Sequence, residues 1–533
     1  MIGLISKLIK TTDDKPKVIS FLLLFLFSIM GIEFIRIARD SYFLSTVGAQ
    51  YIPYMFTFMA CSMLVASGIY SVVVDKFSRL KLLIIINVMG IILSSSLYVI
   101  LEILKIEIEY LPFIVYCLVE TYVMFNIIHL WNYINTVFDQ WEGKTVFPLL
   151  GGAGLMGTFI GGGFISMIVH FSNANTLFIC WSVLLILIIF IAIKCQNKVT
   201  VKKRGQATMM FIKKQDDDFE KATIKDIWKQ PLIKTLTYMV FPMWIIINII
   251  EYYYYDKMSV TFKGNDLAFF LGAFVSIASL TGLILQFSLT PWLLKKFGVG
   301  STSMIYPFSL TIACSSLCIF SLFPGATGTD FTIWSFVILI PLSRFCDVAI
   351  YYSVYESSAE LLYYGVPDNL RSKAKSFISG TVVPLATALS GVGLILLVKY
   401  EEPIYNVAFL GICLSFVLIV FGLNLTPDYL KSLLSNIKPS DHLRRQEVLN
   451  EIGKLDLSDT RYVMLDAITS DDHLEAEFAF KKLTEIKDDE LVEDITEIMH
   501  RIQPEILTQL SEFFKINFPD NYEEFESKLN TTN

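Results

Sequence analysis

The apolar run VISFLLLFLFSIM (Val18–Met30) passes without a turn signal into GIEFIRIARDSYFLSTVGAQYIPY (Gly31–Tyr54), and this junction decides the fold. The second stretch carries four charged residues close together: Glu33, Arg36, Arg39 and Asp40. A charged side chain at the centre of a membrane helix costs about 2.5 to 3.5 kcal/mol. The junction therefore predicts a membrane helix whose charged residues have a role that offsets this cost.

The composition of the whole chain agrees with a membrane protein. Of its 533 residues, 54% are hydrophobic and only 17% are charged, whereas soluble domains carry about a quarter charged residues. The first apolar run is too long for a signal peptide and lacks a cleavage pattern, so we expect it to be retained as a membrane span. The eight cysteines lie almost entirely in apolar runs without metal-site spacing, and we expect no disulfide framework, metal or cofactor.

Twelve stretches approach the roughly 20 apolar residues that cross a bilayer. The predicted spans are Val18–Ile37, Ile52–Val74, Leu82–Leu104, Tyr110–Phe138, Phe147–Phe171, Thr176–Ile193, Thr235–Tyr255, Leu267–Leu294, Thr302–Phe323, Phe331–Tyr355, Phe377–Val398 and Ile404–Leu423. Roughly two dozen lysines and arginines fall in the N-terminus and even-numbered loops, against about five in the odd-numbered loops, which places both termini in the cytoplasm. We therefore expect an integral, multi-pass protein of the inner or plasma membrane.

Two polar regions divide the chain into four predicted parts. The longest polar gap between spans separates a six-helix bundle (1–195) from a second one (234–425), with a cytoplasmic linker at 196–233. After the last span the hydrophobicity falls, and short amphipathic units separated by Asp-rich or Ser-rich turns predict a cytoplasmic helical-repeat domain at 426–533. That domain is a candidate site for a cytoplasmic protein partner.

The two bundles resemble distant copies of each other. FDQWEGKTVFPLLGGAGLMGTFIGGG, after the fourth span, and VPDNLRSKAKSFISGTVVPLATALSG, after the tenth, both give a charged turn, a basic residue and a helix rich in small residues. Small residues allow close helix packing in membranes. Six plus six helices in parallel repeats is the layout of the major facilitator architecture, which predicts a carrier that rocks between two faces.

Four segments together resemble the nucleotide transporters of the ATP/ADP translocase family, including divergent bacterial members with a C-terminal HEAT-like helical domain. They are IRIARDSYFLSTVGAQYIP (35–53), HLWNYINTVFDQWEGKTVFPLLGGAG (129–154), INIIEYYYYDKM (247–258) and SSAELLYYGVPDNLRSKAKSFISGTVVPLATALSG (357–391). The resemblance implies exchange of ATP or another nucleotide for ADP or phosphate, with Arg39 and Glu251 among the charged residues on which exchange depends. This chain departs from the family pattern at two positions, with His129 in place of an acidic residue and Ala359 in place of the basic residue before Glu360.

The residues of the first span also allow a direct interpretation. Arg36 and Arg39 are three apart and share one face of a helix, and a pair of planar guanidinium forks suits phosphate oxygens. The alternative is structural: Arg36 pairs with Glu33, Arg39 pairs with Asp40, and the side chains extend to the membrane surface.

Other candidate site residues lie in the later spans. His129 is a substrate-binding or proton-carrying candidate, or else a satisfied bundle residue. Glu251 precedes four tyrosines and is a substrate or gate candidate, or an interfacial residue, and Lys257 beyond it binds substrate or anchors the helix. Gating or ion-pair candidates complete the set: Asp40, Arg344, Asp347 and Glu360, of which Arg344 and Asp347 are three apart and predict an internal ion pair.

Three classes of function remain open at this point. The first is a carrier of a small phosphorylated anion, a nucleotide or phosphate, whose cavity is lined by Arg36, Arg39, His129 and Glu251. The second is a proton-coupled facilitator of another small solute, and the third is a membrane-anchored interaction protein acting through 426–533. The chain has no phosphate-cradling loop or hydrolase motif, so we expect neither an enzyme nor a nucleic-acid-binding protein.

Overall fold

The computed structural model of the protein is a nearly all-helical bundle. It describes residues 15–73, 76–106, 108–138, 140–198, 227–322, 339–400, 404–435, 464–465, 468–469, 473–484, 490–519, 522 and 525–526. Most of the predicted linker and much of the predicted tail lie outside the described residues.

The first half of the chain forms six helices, each at a predicted span. They are α1 (Lys15–Thr46), α2 (Ile52–Val73), α3 (Arg79–Tyr98, continued by a π-helical turn Val99–Ile103), α4 (Leu111–Val137), α5 (Gln140–Phe171) and α6 (Thr176–Lys198). The chain direction alternates between successive helices. We call the face at which α1 begins the terminal face and the other the opposite face.

The second half repeats this arrangement. Its helices are α7 (Pro231–Thr261), α8 (Asn265–Ser303), α9 (Ile305–Leu322), α10 (helical from residue 339, with a π-helical stretch Asp347–Tyr355 and a last segment Glu356–Leu362), α11 (Asp368–Phe377, a π-helical turn Ile378–Val382, then Val383–Lys399) and α12 (Ile404–Gly422). α8 is broken at Gly298, whose φ of 75° suits a residue without a Cβ atom. The break lies between the predicted eighth and ninth spans, just after Lys295 and Lys296.

Nine helices of the described chain are long and apolar enough to cross a membrane, or ten if the bent pair formed by α12 and the next helix is one span. Of the predicted twelve, α9 is a shorter apolar helix and α10 is described only from residue 339. Each predicted span nevertheless coincides with one helix of the bundle, so the twelve-helix layout is confirmed where the chain is described. Satisfying every backbone group internally is what makes helices suitable for lipid.

Two predicted boundaries are wrong in an informative way. α1 continues to Thr46, beyond the predicted end at Ile37, and α7 continues to Thr261, beyond Tyr255. Both predicted spans end beside charged residues, Arg39 and Asp40 in the first case and Asp256 and Lys257 in the second. α1 continues past Arg39 and Asp40, which are paired inside the bundle as described below, and α7 continues past the adjacent pair Asp256–Lys257.

The two halves meet along two antiparallel helix pairs, α5 with α8 and α2 with α11. A Cβ atom at Gly162 of α5 would overlap the carbonyl oxygen of Gly272 and lie 2.8 Å from the amide nitrogen of Ser276, both on α8. In the second pair, a Cβ atom at Gly391 would lie 2.7 Å from the carbonyl oxygen of Pro53. Backbone therefore touches backbone at both interfaces, as the small-residue stretches predicted.

Hydrogen bonds close the opposite face between the two halves. Ser41 of α1 donates to the carbonyl of Gly264 at 2.9 Å, and the amide of Gly264 donates to Ser45 at 2.9 Å. The side chain of Asn265 accepts from the amide of Ala174 at 2.9 Å. The turn between α7 and α8 is thus hydrogen-bonded to two parts of the first half, the end of α1 and the turn between α5 and α6.

The region after α12 is helical in its described parts, with α13 (Leu425–Ser435), α14 (His473–Leu483), α15 (Glu490–Ile498) and α16 (Pro504–Asn517). α13 packs on the second half: Leu425, Tyr429 and Leu433 are buried. The carboxylate of Asp428 accepts a hydrogen bond from Thr235 at the start of α7. The predicted domain boundary at 425/426 falls at the first residue of this helix and stays a prediction.

Candidate functional site

Arg39 lies inside α1, where its guanidinium is almost fully occupied. Its Nε and Nη2 atoms lie 2.8 Å from the carboxylate of Asp40, and Nη1 donates to Glu120 on α4. The guanidinium also stacks over the ring of Tyr116 at 4.1 Å. Only 6% of the side chain is exposed. The Arg39–Asp40 pair of the structural alternative is therefore present, but deep in the bundle and not at its surface.

Arg36, one turn earlier, is less fully bound. Its Nη2 atom donates to Glu120 at 3.4 Å, and 31% of its side chain is exposed. A guanidinium has five N–H donors, so most of the donors of Arg36 are available to another acceptor. The same-face arrangement predicted for Arg36 and Arg39 is confirmed, because both reach one carboxylate.

That carboxylate, Glu120, was not among the residues selected from the sequence. It bridges Arg36 and Arg39 and is 5% exposed. Its signal was present in the sequence: it is the only acidic or basic residue among 111–137, apart from the histidine discussed below. A lone carboxylate in a membrane span indicates a functional or paired site by itself.

The second half contributes a matching cluster. Arg344 of α10 contacts Glu251 of α7 at 3.1 Å and also pairs with Asp347, which confirms the predicted internal ion pair. Asp347 accepts a second hydrogen bond from the hydroxyl of Tyr306 on α9. Side-chain exposure is 22% for Glu251 and 18% for Arg344, so this cluster, like Arg36, is partly open to water.

The two clusters join across the halves. The hydroxyl of Tyr255 on α7 donates to Asp40 on α1 at 2.9 Å. Electrostatic interactions extend the set: Glu33 of α1 interacts with Arg36 and Arg344, and Glu251 interacts with Arg344 and Arg36. We call this set the charged network; its charged members are Glu33, Arg36, Arg39, Asp40, Glu120, Glu251, Arg344 and Asp347.

The charged network holds five carboxylates and three guanidinium groups among the described residues. Fully ionised, it carries an excess of two negative charges. Removing charges from water costs several kcal/mol per ion unless partners compensate. Unequal numbers leave that compensation incomplete by two positive charges, which a proton or a cationic group would supply, so the network is less suited to a purely structural role.

His129 lies elsewhere, nine residues after Glu120 on α4, which is about 13 Å along a helix axis. It is fully buried; Nδ1 lies 3.0 Å from the hydroxyl of Tyr70 and Nε2 lies 2.8 Å from the carbonyl of Arg79. Asn132 donates to the same tyrosine at 3.0 Å. Both ring nitrogens are used within the first half, so the structure does not bring His129 to the charged network.

Lys257 and Glu360 also have partners outside the charged network. Lys257 lies 2.9 Å from Asp256, its neighbour near the end of α7. Glu360, at the terminal-face end of α10, pairs with Lys375 on α11, which also stacks over Tyr363 at 5.2 Å. The structure thus brings together six of the nine candidates: Arg36, Arg39, Asp40, Glu251, Arg344 and Asp347.

No protein family and no curated protein matches the chain in sequence. Solved structures do match its fold. The inward-open xylose transporter XylE from E. coli aligns with a TM-score of 0.52 at 14% identity, over 76% of this chain and 96% of that chain. A POT family transporter in complex with 5-aminolevulinic acid aligns with a TM-score of 0.51 at 12% identity, over 76% and 96%. A bacterial homologue of the iron transporter ferroportin, in an inward-facing state, aligns with a TM-score of 0.52 at 12% identity, over 77% and 100%.

At identities of 12 to 14%, the similarity to these structures shows a shared fold and nothing narrower. The chain has the major facilitator type of membrane fold, in agreement with the six-plus-six layout, and additional helices follow it. The narrower resemblance to ATP/ADP translocases stays a hypothesis about the substrate.

Proposed function

We propose that the protein is an alternating-access carrier of a small solute and that the charged network is its binding site. The observation that carries the proposal is the 2.9 Å hydrogen bond from Tyr255 of the second half to Asp40 of the first, which joins the ion pairs of Arg39 to the helix that bears Glu251. In carriers built from two repeats, substrate sites lie near the midplane at the repeat interface. The fold, shared with solved transporters, supports this proposal.

The solute should carry an anionic group, because Arg36 is the most exposed of the three guanidinium groups and makes one long contact with a carboxylate. Guanidinium groups bind carboxylate and phosphate oxygens in pairs of hydrogen bonds. A nucleotide, exchanged for another nucleotide or for phosphate, is the specific substrate that the sequence resemblance adds.

The charges suggest how binding leads to movement. An anion on Arg36 competes with Glu120 on the first half and repels Glu251 on the second. Both effects disturb the contacts that hold the network in its present arrangement. No chemical bond changes, and the driving force is a gradient or a counter-substrate.

The test is uptake of radiolabelled ATP into proteoliposomes that contain the full-length protein, with and without ADP inside. We expect uptake that internal ADP accelerates, and we expect Arg36→Gln to reduce it at least tenfold, a loss equivalent to one charge-assisted interaction of about 1.4 kcal/mol or more. Arg501→Gln is the matched control, since Arg501 is an exposed residue of the tail. If Arg36→Gln transports as well as the unmodified protein, the assignment of the site is wrong.

The excess of carboxylates favours a second candidate, a proton-coupled carrier of a different small solute. Protonation of one carboxylate during each cycle would lower the negative excess of the network from two charges to one, whereas a bound anion would raise it. This candidate predicts acidification inside liposomes when substrate enters. Screening sugars, amino acids and nucleosides for uptake that a protonophore abolishes distinguishes it from nucleotide exchange, which a protonophore leaves unchanged.

A further inference from the structure

The arginine pair that the sequence offers as an anion clamp already holds an anion, and that anion belongs to the protein. Glu120 contacts the guanidinium of Arg36 through one carboxylate oxygen and that of Arg39 through the other. A bound phosphate or carboxylate would use the same two forks. Glu120 therefore occupies the position that a substrate anion needs.

The two halves of this bridge are unequal. The contact with Arg39 is supported by the burial of Arg39 and by its stacking on Tyr116. The contact with Arg36 is 3.4 Å long, at the limit of a hydrogen bond, and Arg36 is the partly exposed partner. An arriving anion can therefore displace Glu120 from Arg36 while the bond to Arg39 remains.

Neutralising Arg39 does not require Glu120. Asp40 already contacts Arg39 at 2.8 Å and is itself held by Tyr255. Without Glu120, the charged network would still contain four carboxylates for its three guanidinium groups. The charge balance alone thus gives no reason for a fifth carboxylate between the two arginines.

We propose that Glu120 is an internal competitor of the substrate, which sets the affinity and the charge class of the anion that the carrier accepts. The proposal rests on the proposed function, since it concerns the same site. Binding moves Glu120 from the bridge onto Arg39 alone, and restoring the bridge expels the anion. Glu120 then controls the release of the anion, and Arg36 controls its binding.

This competition gives a preference among anions. A free monocarboxylate offers Arg36 the same interaction that Glu120 offers, but Glu120 is tethered beside it at a high effective concentration. A phosphate group with a larger charge and three acceptor oxygens has an advantage that a monocarboxylate lacks. The site should therefore select solutes with a phosphate-type dianion over monocarboxylates.

The experiment compares Glu120→Gln with the unmodified full-length protein in nanodiscs and proteoliposomes, with ATP and inorganic phosphate as separate probes. We expect the dissociation constant and KM of Glu120→Gln to fall about tenfold, the effect of losing one competing ion pair. The maximal exchange rate should fall as well, because release slows. A purely structural role for Glu120 would lower the amount of folded protein without lowering KM.

Two further variants keep the proposal testable if Glu120→Gln does not fold. Glu120→Asp keeps the charge but shortens the side chain, so it should lose the 3.4 Å contact to Arg36 first and show a smaller fall in KM. Glu102→Gln is the matched control, because Glu102 accepts hydrogen bonds from Asn173 and Asn175 at 2.9 and 3.0 Å on the opposite face. The KM of this variant should equal that of the unmodified protein.

The outcomes distinguish a failure of the role proposed for Glu120 from a failure of the proposed anion-carrier function. If the unmodified protein binds or exchanges an anion but folded Glu120→Gln and Glu120→Asp show no fall in KM, only the role of Glu120 is wrong. If neither the unmodified protein nor the variants bind ATP or phosphate, the anion-carrier proposal fails, and the role of Glu120 fails with it. Tighter binding of a monocarboxylate such as acetate than of phosphate would also overturn the proposed preference.

Discussion

The hydroxyl of Tyr255 donates a hydrogen bond of 2.9 Å to the buried carboxylate of Asp40, and this bond joins the two six-helix halves at the charged network. Tyr254, which precedes Tyr255 in α7, is also buried, but the hydroxyl of Tyr254 has no hydrogen-bond partner among the described residues. Two adjacent tyrosines on α7 therefore differ in whether they connect the halves.

Tyr255→Phe should weaken the arrangement in which the opposite face is closed. A hydrogen bond to a charged group contributes about 1.5 to 3 kcal/mol, so the ratio of closed to open protein should fall about tenfold or more. Pulsed electron-spin distance measurements between labels at Gln50 and Lys263, both exposed at that face, should show a larger long-distance population. Tyr254→Phe is the control and should leave the distances unchanged; equal effects of the two variants would contradict the assignment.

Gly162→Ala should disrupt the contact between α5 and α8. The added methyl would overlap the backbone of Gly272, which cannot rotate away as a side chain can. Overpacking of this kind costs about 1 to 3 kcal/mol. Thermal unfolding in detergent, followed by size-exclusion fluorescence, should show a clear loss of stability.

Gly163→Ala gives the matched comparison, because a methyl there would meet only the hydroxyl of Ser276 at an ordinary 3.7 Å. We expect this variant to unfold at the same temperature as the unmodified protein. An equal loss of stability in both variants would mean that the loss does not arise from the overlap with Gly272, since helix propensity alone favours alanine over glycine.

His129→Gln should change stability more than transport. The imidazole bonds to Tyr70 and to the carbonyl of Arg79 within the first half, and losing a buried hydrogen bond costs about 1 to 3 kcal/mol. KM for the transported anion should stay within about twofold, since no network contact is removed. A large rise in KM without a loss of stability would instead indicate that His129 belongs to the binding site.

Truncation of the tail should depend on where the chain is cut. Ending the chain after Leu423 removes α13 and exposes the surface covered by Leu425, Tyr429 and Leu433, each worth about 1.5 to 3 kcal/mol when buried. Ending it after Ser435 retains that helix. We expect the first protein to aggregate and the second to stay monodisperse in size-exclusion chromatography; the same behaviour of both would show that α13 does not stabilise the second half.

Local patterns in the sequence predicted most of the fold. Apolar run length located the helices, and the three-residue spacing predicted the Arg344–Asp347 pair, because both depend on one helix at a time. The spacing also placed Arg36 and Arg39 on one face. These features need no knowledge of how helices pack.

The remaining features of the site depend on contacts between distant parts of the chain. Arg36 and Glu120 are 84 residues apart, so nothing in the spacing of either helix joins them. His129 attracted attention as a lone polar residue, but Tyr70 on another helix satisfies it. The ends of α1 and α7 were placed too early for the same reason, since a charge inside a helix cannot be distinguished from a surface charge until its partner is known.

The contact between Gly162 and Gly272 has a mechanical consequence for the whole bundle. Because main chain rests on main chain there, α5 and α8 cannot come closer together at that point. The crossing is therefore a fulcrum: tilting one half about it spreads one face of the protein only by pressing the other face together. A passage open at both ends at once would require the glycine crossing itself to come apart.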